Sequence, residues 1–168
     1  TSRITTSGES YENGIKGPTS FISLTKATVG EPPKVLPLSA AFSNDGKWLY
    51  TTGYKTLEGK WLPVVMRVEY NSQTPATVFI GDIKQESSGA GEGQFKIPLG
   101  VTVDNSNNIL IADYMNDRIQ VFNPEGKYLK SIKTEKPVVI AVHPKTNQIY
   151  VCSWMVVNDF IKTDKEAI

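Results

Sequence analysis

Asp113, Asn116 and Arg118 form the densest set of side chains in this sequence that could do chemistry. A carboxylate, an amide and a guanidinium spread over so short a stretch can satisfy one another and the backbone groups of a turn. Their combination therefore reads as structural. Catalytic alternatives elsewhere are thin. His143 is the one histidine, and it opens a His-Pro turn where polar capping accounts for it. A zinc centre needing several imidazoles cannot be assembled from it. Asp104, Asn105, Asn107 and Asn108 have the composition of a calcium loop, but without its glycine and closing glutamate. Gly89, Gly91 and Gly93 are followed by neither Lys-Ser/Thr nor a helical pattern, so no phosphate loop is expected. Cys152 lies inside an apolar run and is expected to be an inert core residue. The sequence thus predicts no catalytic residue, no metal ligands and no cofactor.

The elements that must carry these groups are short strands. Between Gly93 and Lys133, the runs LGVTVD, NILIAD, RIQVFN and KYLKSIK follow one another, divided by Asn, Asp, Pro and Gly clusters. Short apolar or alternating runs with such punctuation define an antiparallel meander. Four strands in about forty residues make one propeller blade. The pattern recurs. Segments starting at Pro37, Pro98 and Pro137 each read as proline, apolar strand, polar turn, second apolar strand. The interval from Pro98 to Pro137 is that of a plain blade, whereas the one from Pro37 to Pro98 carries roughly twenty residues more than the repeat norm. Lys55 to Pro63 and the Ser/Gly-rich Ile83 to Gln94 are where the extra chain is expected, the first lengthening the link between two strands. VVMRVEY and ATVFIGD supply the remaining strands of that blade.

In this alignment the exits of the second strands carry rings: Tyr54, Tyr114 and Trp154. Such loops gather on one face of a propeller, where amphipathic rings suit a peptide, a glycan or another flat ligand. With the neighbouring Asp117 they are the candidate ligand-binding residues. The competing reading is that each ring packs over its own blade edge. Lys127, Lys130, Lys133 and Lys136 give the last strand of the central blade a basic edge, diluted by Glu125 and Glu135. Solvated lysines are ordinary on an outer strand, so nucleic acid is disfavoured.

The central segment resembles the NHL repeat, in order, through Phe95, Pro98, Gly100, Asp104, Asp113, Asn116, Arg118, Ile119, Val121, Phe122 and Gly126. That resemblance implies an all-β fold, a partial NHL-type β-propeller of antiparallel four-stranded blades. It places Asp113, Asn116 and Arg118 at motif positions of structural use. Asp117 stands where the family motif often has histidine, which removes one candidate ligand. The multi-histidine zinc site of the amidating lyases that NHL repeats resemble finds no counterpart here. Nor does the central histidine of streptogramin-lyase propellers or the Glu/Asn/Asp cluster of lactonase-like ones. Some NHL propellers bind RNA through a basic face, a use weakened by the dilution noted above.

The expected organisation is an arm and an outer strand of a preceding blade over 1–36, the outer strand running from Phe21 to Val29. A blade with insertions over 37–97, the NHL blade over 98–136 and a truncated blade over 137–168 follow, with one further strand from Asp159 to Thr163. Propellers close with about four to eight blades, so the remaining blades are expected from a longer chain or from other subunits. At 168 residues, 39% apolar and 21% charged, the chain can bury a core. Its 18 basic and 17 acidic groups set up no strong field for nucleic acid or membrane. No apolar run approaches the roughly 18 residues of a spanning helix. The processed-looking start, the Thr/Ser/Asn content and the single thiol fit an extracellular, periplasmic or cell-surface protein, and fit a cytosolic fragment as well. The expected function is a non-catalytic binding or scaffolding module for protein, peptide or glycan. The alternative is a metal-dependent propeller enzyme, of lyase or lactonase type, whose site is completed by blades outside this chain.

Overall fold

The computed structural model describes residues 3–4, 10–11, 39–57, 60–72, 74–81 and 88–153. The strand expected over 21–29, Trp154 and the strand expected over 159–163 lie outside them. Among the described residues the chain is almost wholly β. A small ladder joins β1 (Arg3–Ile4) to β2 (Ser10–Tyr11), within the stretch expected as an arm. The first four-stranded sheet holds β3 (Ala40–Phe42), β4 (Trp48–Leu57), β5 (Lys60–Glu69) and β6 (Thr77–Ile80) in sequence order. The second holds β7 (Pro98–Val103), β8 (Ile109–Asp113), β9 (Arg118–Phe122) and β10 (Tyr128–Lys133), again in order. A third sheet pairs β11 (Pro137–Val142) with β12 (Ile149–Ser153). All of these pairings are antiparallel. No described helix is long and apolar enough to cross a membrane.

The extra chain in the first sheet takes a different form from the one expected. Instead of a lengthened link, Lys55 to Pro63 prolongs a hairpin, β4 and β5 running paired from Trp48↔Glu69 to Leu57↔Lys60. Pro63 is tolerated inside β5 because β6 pairs with that strand only between Val65 and Arg67. Beyond that ladder, no partner among the described residues needs its missing N–H.

Both faces of the central sheet are apolar and both are covered. Val101, Ile109, Ile111 and Phe122 pack with Phe95 against Tyr50, Val65 and Ile80 of the first sheet. Leu110, Ala112, Ile119 and Val121 pack against Ile140, with Val142 and Val151 alongside. A continuous apolar run buried on two sides is what this arrangement demands of β8, whose five residues are all buried. Polar contacts fasten the first interface: the Thr52 hydroxyl donates to the Leu99 carbonyl at 2.8 Å and accepts from the Ser39 N–H at 3.2 Å. Farther out, the Arg67 guanidinium stands 4.7 Å from the centroids of both Trp48 and Phe79.

Cys152 corrects the expectation of a core thiol. It is exposed, with Val139 and Tyr150 at 55% and 56% exposure on the same two strands. Val139 pairs with Cys152 and Ala141 with Tyr150, so these four share one face. The positions equivalent to Tyr150 are Tyr50 and Leu110, both buried by the following sheet. No described sheet follows the third one, and its apolar face is open for that reason.

The approach of the third sheet explains Gly100. A Cβ there would lie 2.6 Å from the Val138 carbonyl oxygen and 3.3 Å from the Ala112 Cβ. Gly100→Ala must push β11 off β7. We expect it to cost about 1–3 kcal/mol, the usual penalty for overpacking, read as a lowered midpoint of urea unfolding with unchanged slope.

Candidate functional site

β8 ends at Asp113, a single 3-10 turn spans Tyr114–Asn116, and β9 begins at Arg118. Register places Asp113 opposite Arg118, so the turn delivers both side chains to one end of the sheet. Asp113 is 0% exposed. Its Oδ1 accepts the Lys96 N–H at 3.0 Å; its Oδ2 accepts Asn116 Nδ2 at 2.7 Å and Arg118 Nε at 3.0 Å. A buried carboxylate is tolerable only when paired and hydrogen-bonded in this way.

The other ends of these side chains hold the chain that enters the second sheet. Arg118 donates through one terminal nitrogen to Ala90 O at 2.7 Å, and through the other to Gly91 O and Gln94 O, both at 2.9 Å. Asn116 Nδ2 also donates to Gly89 O at 2.7 Å. Gln120, wholly buried in the middle of β9, donates to Gln94 O at 2.7 Å and accepts the Gly93 N–H at 3.0 Å. Phe95, 0% exposed, pins the same segment into the apolar layer between the sheets. The Gly-rich stretch from 88 to 96 is thus held by its own carbonyls, against one guanidinium and two amides. Asp113, Asn116 and Arg118 come together as a loop-organising cluster. Gln120, Gln94 and Lys96 belong to it too. Of these, Gln120 had a legible signal, being the polar residue at the centre of RIQVF.

Of the candidate ligand-binding residues, Tyr54, Tyr114 and Asp117 occupy the same end of the molecule in different states, and Trp154 lies outside the described residues. Tyr54 is partly buried, and its hydroxyl donates to Lys96 O at 3.5 Å. Burial, with the charge of Asp113 behind it, pushes the phenol up to about 12. It is therefore a proton-bearing donor at neutral pH, not a base. Tyr114 is only 5% exposed, its ring lying 5.5 Å from Lys136 Nζ. Asp117 and Lys136 both adopt left-handed backbone, at φ 50 and φ 40. They hold each other there: Asp117 Oδ1 accepts the Lys136 N–H at 3.1 Å and its ammonium at 3.0 Å. Those two bonds keep the Asp117 carboxyl below its ordinary range.

Other candidate groups are absorbed by turns. His143 Nδ1 accepts the N–H groups of Lys145 and Thr146, both at 3.2 Å. Asp104 accepts the N–H groups of Ser106 and Asn108 at 2.8 Å and the Asn108 amide at 2.9 Å. Among the described residues, no three His, Cys, Asp or Glu side chains come close enough to hold a metal ion.

Sheets of four antiparallel strands in sequence order, laid face to face, define part of a β-propeller. The family model described as SMP-30/gluconolactonase/LRE-like region matches residues 12–155. The chain belongs to that family, which is one of six-bladed propellers. It is similar in structure to a luciferin-regenerating enzyme at TM-score 0.51 and 22% identity, covering 73% of this chain and 39% of that one. It is also similar to a regucalcin, a calcium-binding protein of Agrobacterium tumefaciens strain C58, at TM-score 0.53 and 19% identity, over 73% of this chain and 40% of the other. These likenesses show the fold. Over 40 residues it is 50% identical to the protein brain tumor of Drosophila melanogaster, covering 24% of this chain and 4% of that protein. Over 42 residues it is 50% identical to the E3 ubiquitin-protein ligase TRIM71 of Rattus norvegicus, covering 25% and 5%. The chain thus spans about two fifths of the length of these structures and a twentieth or less of the curated relatives.

Two outcomes follow from the cluster. Arg118→Met strands the Asp113 charge in the interior, and the cost expected is about 3–5 kcal/mol, measured by denaturant unfolding. Tyr54→Phe is expected to remove one tyrosinate step near pH 12 from the ultraviolet titration. Because the folded phenol titrates above its ordinary value of 10.0, its stabilisation is complete below that pH and is lost as pH rises toward 12. The variant should lack that part of the alkaline loss.

Proposed function

We propose that this chain is the blade-forming part of a metal-dependent propeller hydrolase of the lactonase type. The observation that carries the reading is the family match across residues 12–155. The names of similar structures, an enzyme and a calcium-binding protein, support it further. The described residues do not themselves fit a metal centre. Asp113 has both oxygens engaged by Lys96, Asn116 and Arg118, and no acidic or imidazole trio lies elsewhere among them. No reaction step is therefore assigned to a metal held here. What these residues contribute is a wall: sheets locked face to face, and a fixed entry segment at the end where Tyr54, Tyr114 and Asp117 lie.

A second reading, a non-catalytic NHL-type module that binds protein, peptide or glycan, is favoured by a separate observation. That observation is the 50% identity over forty-odd residues to brain tumor and TRIM71. One experiment separates the two. The intact natural protein is assayed for divalent metal content and for opening of gluconolactone, with and without a chelator. Stoichiometric metal and chelator-sensitive turnover are expected, and Asp113→Asn should leave the metal stoichiometry unchanged. A metal-free, inactive protein that captures a peptide or glycan would overturn the first reading for the second.

A further inference from the structure

At the end of the sheets opposite Asp113, the turns between first and second strands reach across to one another. Asn44 donates its N–H to Asn107 Oδ1 at 2.9 Å and its side-chain amide to Asp104 O at 2.8 Å. One sheet further on, Asn105 repeats both contacts. Its N–H goes to Asn147 Oδ1 at 3.0 Å and its side-chain amide to Pro144 O at 2.9 Å. The acceptors, Asn107 and Asn147, are the left-handed residues that close their turns, at φ 62 and φ 57. The middle turn therefore has two functions at two positions: Asn105 near its start donates forward, and the left-handed Asn107 accepts from behind.

The outer turns each lack one of these. In the first turn the left-handed closing residue is Gly46, at φ 69, which has no side chain to accept anything from behind. In the third, the donating position is occupied by Pro144, which has neither an N–H nor an amide to pass forward. We infer that these turns form a relay of three, terminated at both ends by residue type. The relay fastens the three sheets from β3 to β12 into one mechanical unit. Any independent blade movement then lies outside the unit, behind Gly46 or beyond Pro144. The open apolar face of Val139, Ala141, Tyr150 and Cys152 lies on the Pro144 side. Whatever packs there is held by side-chain burial without this clasp. The inference is independent of the enzymatic reading.

Substitution by glycine tests the relay cleanly, because glycine keeps the left-handed backbone and removes only the acceptor. In Asn107→Gly the Asn44 amide is expected to exchange with deuterium about tenfold faster, the equivalent of one hydrogen bond. Asn105 should be unaffected. Asn147→Gly should reverse that pattern. Gly46→Asn, at a position with open space around it, should change neither. For the unit as a whole, the slowest amides of β4, β8 and β12 should exchange at one common rate in the unaltered protein. They should separate in the Asn107→Gly/Asn147→Gly double variant. An Asn44 amide that stays slow in Asn107→Gly overturns the relay. So do rates for the three strands that already differ without substitution.

Discussion

A four-stranded sheet that is apolar on both faces has to be covered twice, and no sheet can cover itself. That requirement governs the packing of this chain. β8 carries Ile109 and Ile111 toward one neighbour and Leu110 and Ala112 toward the other, and both faces are buried. Burying a side chain of that size is worth roughly 1.5–3 kcal/mol relative to leaving it in water. The third sheet, with only one face covered among the described residues, shows the same rule from the other side through Val139, Tyr150 and Cys152. Close stacking then dictates smaller features, such as a glycine at position 100, where the β11 backbone passes too near for a methyl group.

Stacked sheets need their edges finished, and the two ends of this stack are finished differently. At one end the turns satisfy themselves through solvent-exposed side chains such as Asp45 and Asp104, and then reach each other through asparagines. At the other end a buried charge is involved. Asp113 is wholly enclosed, Arg118 neutralises it, and the remaining donors of that guanidinium collect three carbonyls of the entering segment. The pair brings an ordering function that an apolar substitute could not reproduce, because backbone carbonyls at 2.7 and 2.9 Å need a donor opposite them. The cluster looks like a site and serves as a joint.

Much of this was legible beforehand, and the reason is locality. The four strands from Pro98 to Lys133 are set by short-range alternation and by turn residues, so they can be read from a window of a few positions. The mutual satisfaction of Asp113, Asn116 and Arg118 is local as well. What escaped the sequence was set by neighbours far along the chain. Cys152 sits in an apolar run, yet its exposure depends on whether another sheet covers that face. Lys55 to Pro63 was expected to lengthen a link, yet these residues extend two paired strands, and Pro63 lies in one whose outer partner stops at Val65. Tyr114 left two readings open, a ligand-facing ring or one packed over its blade edge, and its burial is set by packing that no local pattern encodes.

The same division bears on function. In a propeller, sheet faces fix the positions of the loops, and chemistry is added at the loop ends with little effect on the stack. A chain can therefore belong to such a family while the polar residues singled out in its described part are committed to construction. The described residues show this state: Asp104, His143, Asp113 and Asp117 each have turn or joint partners. These residues act by holding position. With both Asp113 oxygens taken by Lys96, Asn116 and Arg118, a search for reactive groups belongs elsewhere than at the Asp113 turn.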